Sequence, residues 1–94
     1  MAYTYLPCAL GPGMFTSEVA VLLRLEDGSE VSLFADKSLI STRRGKSLLR
    51  ATSMGVDRRG KTPARIALLH DETLEGKGRW IRVRRGRGQV RLSL

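Results

Sequence analysis

Cysteine occurs once in this sequence, at Cys8, and histidine once, at His70. A lone cysteine closes no intrachain disulfide, which removes the disulfide-rich secreted scaffolds and points to a reducing, cytoplasmic setting. With no zinc-ligand spacing and no acidic run of calcium-loop spacing, neither a metal nor any other cofactor is expected. Cys8 and His70 are the sole nucleophile and base candidates, and no local motif supplies a group to orient them. Cys8 instead reads as a small hydrophobe in a strand, and His70, beside Asp71 and Glu72, as an exposed loop residue. No stretch approaches the ~18 apolar residues of a membrane span. The N-terminus lacks a basic leader, and Pro7 breaks the apolar run Tyr5–Leu10, so neither a secretory signal nor a membrane role is expected. No small-molecule substrate is suggested, and the chain does not read as an enzyme.

Helix-forming runs are also scarce, while 10 Gly are spread along 94 residues. Short strands joined by tight turns are the natural outcome. The clearest are E-V-A-V-L-L-R-L and S-E-V-S-L-F-A-D, on either side of Glu26-Asp27-Gly28. Both arms alternate apolar and polar residues, the period of a strand. A two-residue turn would set Leu23 against Ser32 and Leu25 against Glu30. A three-residue loop, closed by Gly28 at positive φ, instead pairs Leu23 with Val31, Val21 with Leu33, Val19 with Ala35 and Arg24 with Glu30. The second register matches apolar to apolar and is the one expected.

Further strands are expected near 3–9, 47–56, 64–69, 79–85 and 89–94, besides the hairpin arms at 17–25 and 29–36. Ser38-Leu39-Ile40 is compatible with a strand or a turn. Thr62-Pro63 resembles a helix start. A helix there would put Arg65 in its first turn and Asp71, Glu72 and Glu75 at its end, all against the macrodipole, so a strand and then a loop at 70–78 are preferred. The expected core is Leu6, Val19, Val21, Leu23, Leu25, Val31, Leu33, Leu49, Ile66, Leu68, Ile81, Val83, Val90 and Leu92. The fold class is therefore all-β: residues 1–94 as one small antiparallel β-barrel or strongly curved sheet of about seven short strands, of SH3-like or OB-like size. In a simple meander the turns at 26–28, 57–61 and 86–88 share one end, and 41–46 lies at the other.

What is abundant is positive charge, and it is unevenly placed. Residues 1–36 hold one Arg against five carboxylates, a net −4, whereas residues 37–94 hold sixteen Lys and Arg against four, a net +12. Such asymmetry suggests an anionic partner for the second part. Three motifs repeat an Arg-Arg-Gly pattern at expected turns: Arg43-Arg44-Gly45-Lys46, Arg58-Arg59-Gly60-Lys61 and Arg84-Arg85-Gly86-Arg87. Guanidinium forks bond phosphate in two places, though Arg-Gly turns also occur as merely solvated loops.

A last hairpin turning at Gly86-Arg87 would carry Trp80, Arg82, Arg84 and Arg91 on its outer face, with Arg82 opposite Arg91. Like charges so placed repel, and no acidic residue follows Glu75. Trp80 there could stack on a base, or else pack into the core. The leading expectation is binding of a polyanion, RNA or single-stranded nucleic acid, through Arg43, Arg44, Lys46, Arg58, Arg59, Lys61, Trp80, Arg82, Arg84, Arg85, Arg87 and Arg91. The alternative is a non-enzymatic interaction or accessory domain docking an acidic protein.

Residues 55–62, G-V-D-R-R-G-K-T, match the phosphate-loop pattern and so resemble Walker A nucleotide-binding proteins. That resemblance implies a helix opening at the G-K-T and a crossover to a parallel strand. Pro63 follows at once and too little chain remains, so nucleotide hydrolysis is not expected.

Overall fold

The computed structural model describes residues 2–60 and 63–84. Within them, seven strands form one antiparallel sheet curled into a half-barrel: β1 (Tyr3–Pro12), β2 (Glu18–Arg24), β3 (Glu30–Asp36), β4 (Ile40–Arg43), β5 (Lys46–Asp57), β6 (Ala64–Leu68) and β7 (Trp80–Arg84). A 3-10 turn, Lys37–Leu39, separates β3 from β4, capped by the Asp36 carboxylate accepting the Ser38 N–H. The strand expected at 89–94, core residues Val90 and Leu92, and Lys61, Arg85, Arg87 and Arg91 lie outside the described residues.

The β2–β3 hairpin has the register that matches apolar to apolar, with Leu23 opposite Val31 and Val21 opposite Leu33. Its loop closes by Leu25 donating to the Ser29 carbonyl at 2.8 Å, and Gly28 takes φ 88°, a region costly for any side chain. Asp27 ties the tip by accepting from both the Ser29 N–H and its hydroxyl. The segment compatible with strand or turn is both in succession: the 3-10 turn leads into β4. The expected basic loop 42–46 is shorter than its sequence implied, because Arg43 pairs with Lys46 and only Arg44 and Gly45 turn the chain. Both adopt positive φ, at 50° and 78°, as a type I′ turn requires.

The path is not the simple meander expected. Strand order is β3-β2-β1-β5-β6-β7, with β4 beside β5, so the chain crosses from one edge of the sheet to its middle. β1 makes this possible by pairing twice, through Tyr3–Cys8 with β5 and through Ala9–Pro12 with β2. The curl then brings distant parts together. Glu26 donates its N–H to the Arg82 carbonyl at 3.0 Å, and Leu74 donates to Ser32 at 2.8 Å. The otherwise open edge of β3 is further covered by Glu75, whose two carboxylate oxygens take the Ser32 N–H and hydroxyl.

Inside the curl, Leu6, Val21, Leu23, Val31, Leu33, Leu49, Leu69, Ile81 and Val83 form the centre of the core. Val19 and Leu25 pack at its margin, only partly buried. β6 corrects the expected core. Its Ala67 pairs with Ile81 on the inner face, which puts Ile66 and Leu68 outside, opposite Arg82 and Trp80. The alternation Ala64, Ile66, Leu68 pointed the other way, but Ala67 and Leu69, both fully buried, fill the interior instead. Arg65 then falls on the inner side, where its guanidinium donates to the buried Thr4 hydroxyl at 2.6 Å. Strand β6 also stands where a phosphate loop would need a helix. Gly55 belongs to a β-bulge between Ser53 and Val56.

Candidate nucleic-acid interface

Antiparallel register decides which side chains share a face. On the outer face the pairing aligns Tyr3, Thr52, Leu68 and Trp80 in one row across β1, β5, β6 and β7. The next residues on that face of β5 are Arg50, opposite Tyr5, and Leu48, opposite Pro7 and Ser41, then Lys46, opposite Arg43. The face is thus a track that begins at the Arg43-Arg44-Gly45-Lys46 turn, runs along β5, and ends at β7. Leu48 is fully buried within it, apart from the central core.

Trp80 is 58% exposed, as is Tyr3. The indole therefore belongs to the surface and not to the core. Tyr3 and Arg50 do not stand out in the sequence. The Arg50 guanidinium lies 4.7 Å from the centre of the Tyr3 ring, within range for a cation–π contact. The available signal is the strand period, which sets Tyr3 and Tyr5 on the face opposite Thr4 and Leu6. The neighbouring arginine appears only once β1 is known to pair with β5.

The expected cations fare differently. Arg43, Arg44 and Lys46 are exposed at the β4–β5 turn, and none has an ion pair among the described residues. Arg58 is exposed beyond the end of β5. Arg59 is held by Asp57, whose Oδ1 accepts the Arg59 N–H at 2.9 Å and its Nε at 3.1 Å, while Oδ2 accepts Nη2 at 3.1 Å. Arg84 is exposed, with its Nη2 3.4 Å from the Glu26 carbonyl oxygen. Arg82 departs most from expectation. It bonds Asp57 and also lies 3.3 Å from Glu26, so its charge is compensated by two carboxylates rather than left facing solvent. These contacts hold the Arg82 side chain, 37% exposed, at the junction of the hairpin loop and the end of β5.

The same contacts explain the local electrostatics. Hydrogen bonds from Arg59 and then Arg82 hold the Asp57 carboxyl far below the usual carboxylate range. Asp57, and then Glu26, raise the Arg82 guanidinium above its ordinary value. The junction also places the 26–28 loop beside Asp57 at the end of β5, so two of the three turns expected at one end meet there although the path differs, and the turn expected at 86–88 lies outside the described residues. His70 is exposed with Nδ1 3.6 Å from Asp71. Cys8 is partly buried against the core, and burial pushes its thiol up to about 11. Among the described residues no group of three or more His, Cys, Asp or Glu could hold a metal ion, and no helix is long and apolar enough to cross a membrane. No family model, curated protein or solved structure matches the chain.

Proposed function

We propose that the chain is a non-enzymatic binding domain for single-stranded nucleic acid, RNA in the first instance, acting in the cytoplasm. The observation that carries this reading is the outer face of the sheet, where exposed Trp80 and Tyr3 share one row and Arg50, Arg43 and Lys46 continue the same face. Phosphates suit the cations, and the aromatic rings suit unstacked bases, which a duplex does not offer. Arg44, Arg58 and Arg84 extend the positive field at the two ends of the track. Arg59, 92% exposed beside Asp57, stays on the surface, and Arg82 is engaged by Asp57 and Glu26. Lys61, Arg85, Arg87 and Arg91 keep their assignment from the sequence alone.

A second reading, docking of an acidic protein, draws on the exposed Met14 and Phe15 at the β1–β2 turn, 73% and 68% accessible. Binding titrations against single-stranded RNA, duplex DNA, heparin and an acidic peptide, at several salt concentrations, separate the two. The nucleic-acid reading requires preference for the single strand over the duplex. A preference for the acidic peptide over every nucleic acid would reject it.

A further inference from the structure

Along one edge of β5, β4 pairs as far as Leu49 and β6 begins at Thr52. Among the described residues Arg50 and Ala51 have neither strand beside them on that edge, and a pocket of about 300 Å³ opens there. Its floor is apolar, from Leu39, Ala51 and Leu69, all buried. Tyr3 lines one side, and the cations Arg50 and Arg79 and the imidazole of His70 line the rest, with no carboxylate among the lining residues. Arg79 is fixed toward this region by donating Nε to the Leu69 carbonyl at 3.0 Å. The volume lies at the small end of ligand sites, the size of a single nucleotide rather than a larger cofactor.

We infer that this pocket is a nucleotide subsite of the single-strand interface. It takes one base against Tyr3 and the apolar floor, with the adjoining phosphate at Arg50 and Arg79, while Trp80 stacks a later base of the same strand. The inference rests on the proposed nucleic-acid reading and adds which residues select a base over a bare polyanion. An apolar floor beneath an aromatic wall rewards a planar ring that heparin lacks. Phosphate at the rim meets two guanidinium groups with no carboxylate among the lining residues, the Asp71 carboxylate lying 3.6 Å from His70. Leu68 connects the two stacking positions, since it lines the pocket and lies next to Trp80 in the row. Tyr3 and Trp80 are three strand spacings apart, about 14 Å at ~4.8 Å each. At ~3.4 Å per stacked nucleotide that distance spans about four nucleotides, at the lower limit of known single-strand site sizes.

The test uses end-labelled hexamers of A6 RNA, U6 RNA and T6 DNA, with heparin as the base-free polyanion, read by anisotropy at several salt concentrations from about 50 to about 200 mM. On the unaltered protein, emission from the sole tryptophan is followed in the same titrations. Hexamers should quench it and heparin should not. Tyr3→Ala should weaken hexamer binding about tenfold by losing one stacked base and leave heparin affinity and the salt slope unchanged. Tyr3→Phe should restore the loss. Arg50→Gln should lower the hexamer salt slope by about 0.7. If the protein binds hexamers and heparin but Tyr3→Ala matches the unaltered chain on both, the subsite is wrong and the polyanion reading stands. If neither hexamer nor heparin binds, that reading falls and the subsite with it. Equal affinity for the RNA and DNA hexamers would assign recognition to base and phosphate, and RNA preference would add the 2′-hydroxyl; either supports the subsite provided Tyr3→Ala separates hexamer from heparin.

Discussion

Replacing Gly13 by Ala probes the turn that lets β1 reverse into β2. A Cβ built there would lie 2.5 Å from the Glu18 carbonyl oxygen and 2.7 Å from its carbonyl carbon. Both are backbone atoms, so no side-chain rotation relieves the contact. Glu18 is itself fixed, since its N–H donates to Phe15 and its carboxylate accepts the Met14 N–H at 3.1 Å. The turn must therefore open by about half an ångström or more, and a forced shift of this kind typically costs ~1–3 kcal/mol. Against it, Ala restricts the unfolded chain and returns about 0.4–1 kcal/mol. A net loss of about 1–2 kcal/mol corresponds to a Tm lower by roughly 4–16 °C for a domain of this size. Gly28→Ala is the comparison. Nothing lies within 4 Å of its Cβ, and only the positive φ is unfavourable, costing about 1 kcal/mol. Urea titrations of the two variants give the ranking, with Gly13→Ala the less stable. A Gly13→Ala variant as stable as the parent chain would refute the close approach of the β1–β2 turn to Glu18.

Three further outcomes follow from the packing and electrostatics. Leu33→Ala empties a site that is 1% exposed at the centre of the curl, and should cost ~2.7–5 kcal/mol in chemical denaturation. The Asp57 carboxyl is lowered on folding, chiefly by Arg59 and then Arg82, so its stabilising effect is present above the unfolded value near 3.9 and is lost as pH falls below about 4; Asp57→Asn should reduce the acid dependence of Tm in that range and leave the profile above pH 6 parallel to that of the parent. Cys8, with its thiol near 11 through burial, should react with iodoacetamide at pH 8 far more slowly than the unfolded chain, and native reaction at the unfolded rate would contradict its placement.

The local part of this architecture is written in neighbouring residues, and the non-local part is not. The β2–β3 register follows from period and turn alone, because a slip by one residue would put Ser32 and Glu30 against leucines. The faces of β6 cannot be settled the same way. Ala64, Ile66 and Leu68 alternate, but so do Ala67 and Leu69, and the choice depends on Ile81 across the ladder and on Thr4 receiving Arg65. Arg82 illustrates the same limit for charge. Its partners Glu26 and Asp57 come from the hairpin loop and the end of β5, joined only by the curl of the sheet. Strand period sets Trp80 on the face opposite Ile81 and Val83, but whether the indole is covered is open in the sequence and is decided by its 58% exposure. The pairing of Tyr3 with Arg50 is not legible in the sequence, because β1 meets β5 across three intervening strands of sequence.

The proposed function is tested most directly by the salt dependence of single-stranded RNA binding in the parent chain and in the Arg43→Gln, Arg44→Gln, Lys46→Gln triple variant. These cations have no ion pair among the described residues, so their removal should leave the fold in place. If all three meet phosphate, log affinity should fall linearly with log salt, and the slope should be shallower in the variant by about 2, from ~0.7 per phosphate contact on a single strand. An unchanged slope in a folded variant, or no binding by the parent chain at 50 mM salt, would contradict the outer face as the binding surface.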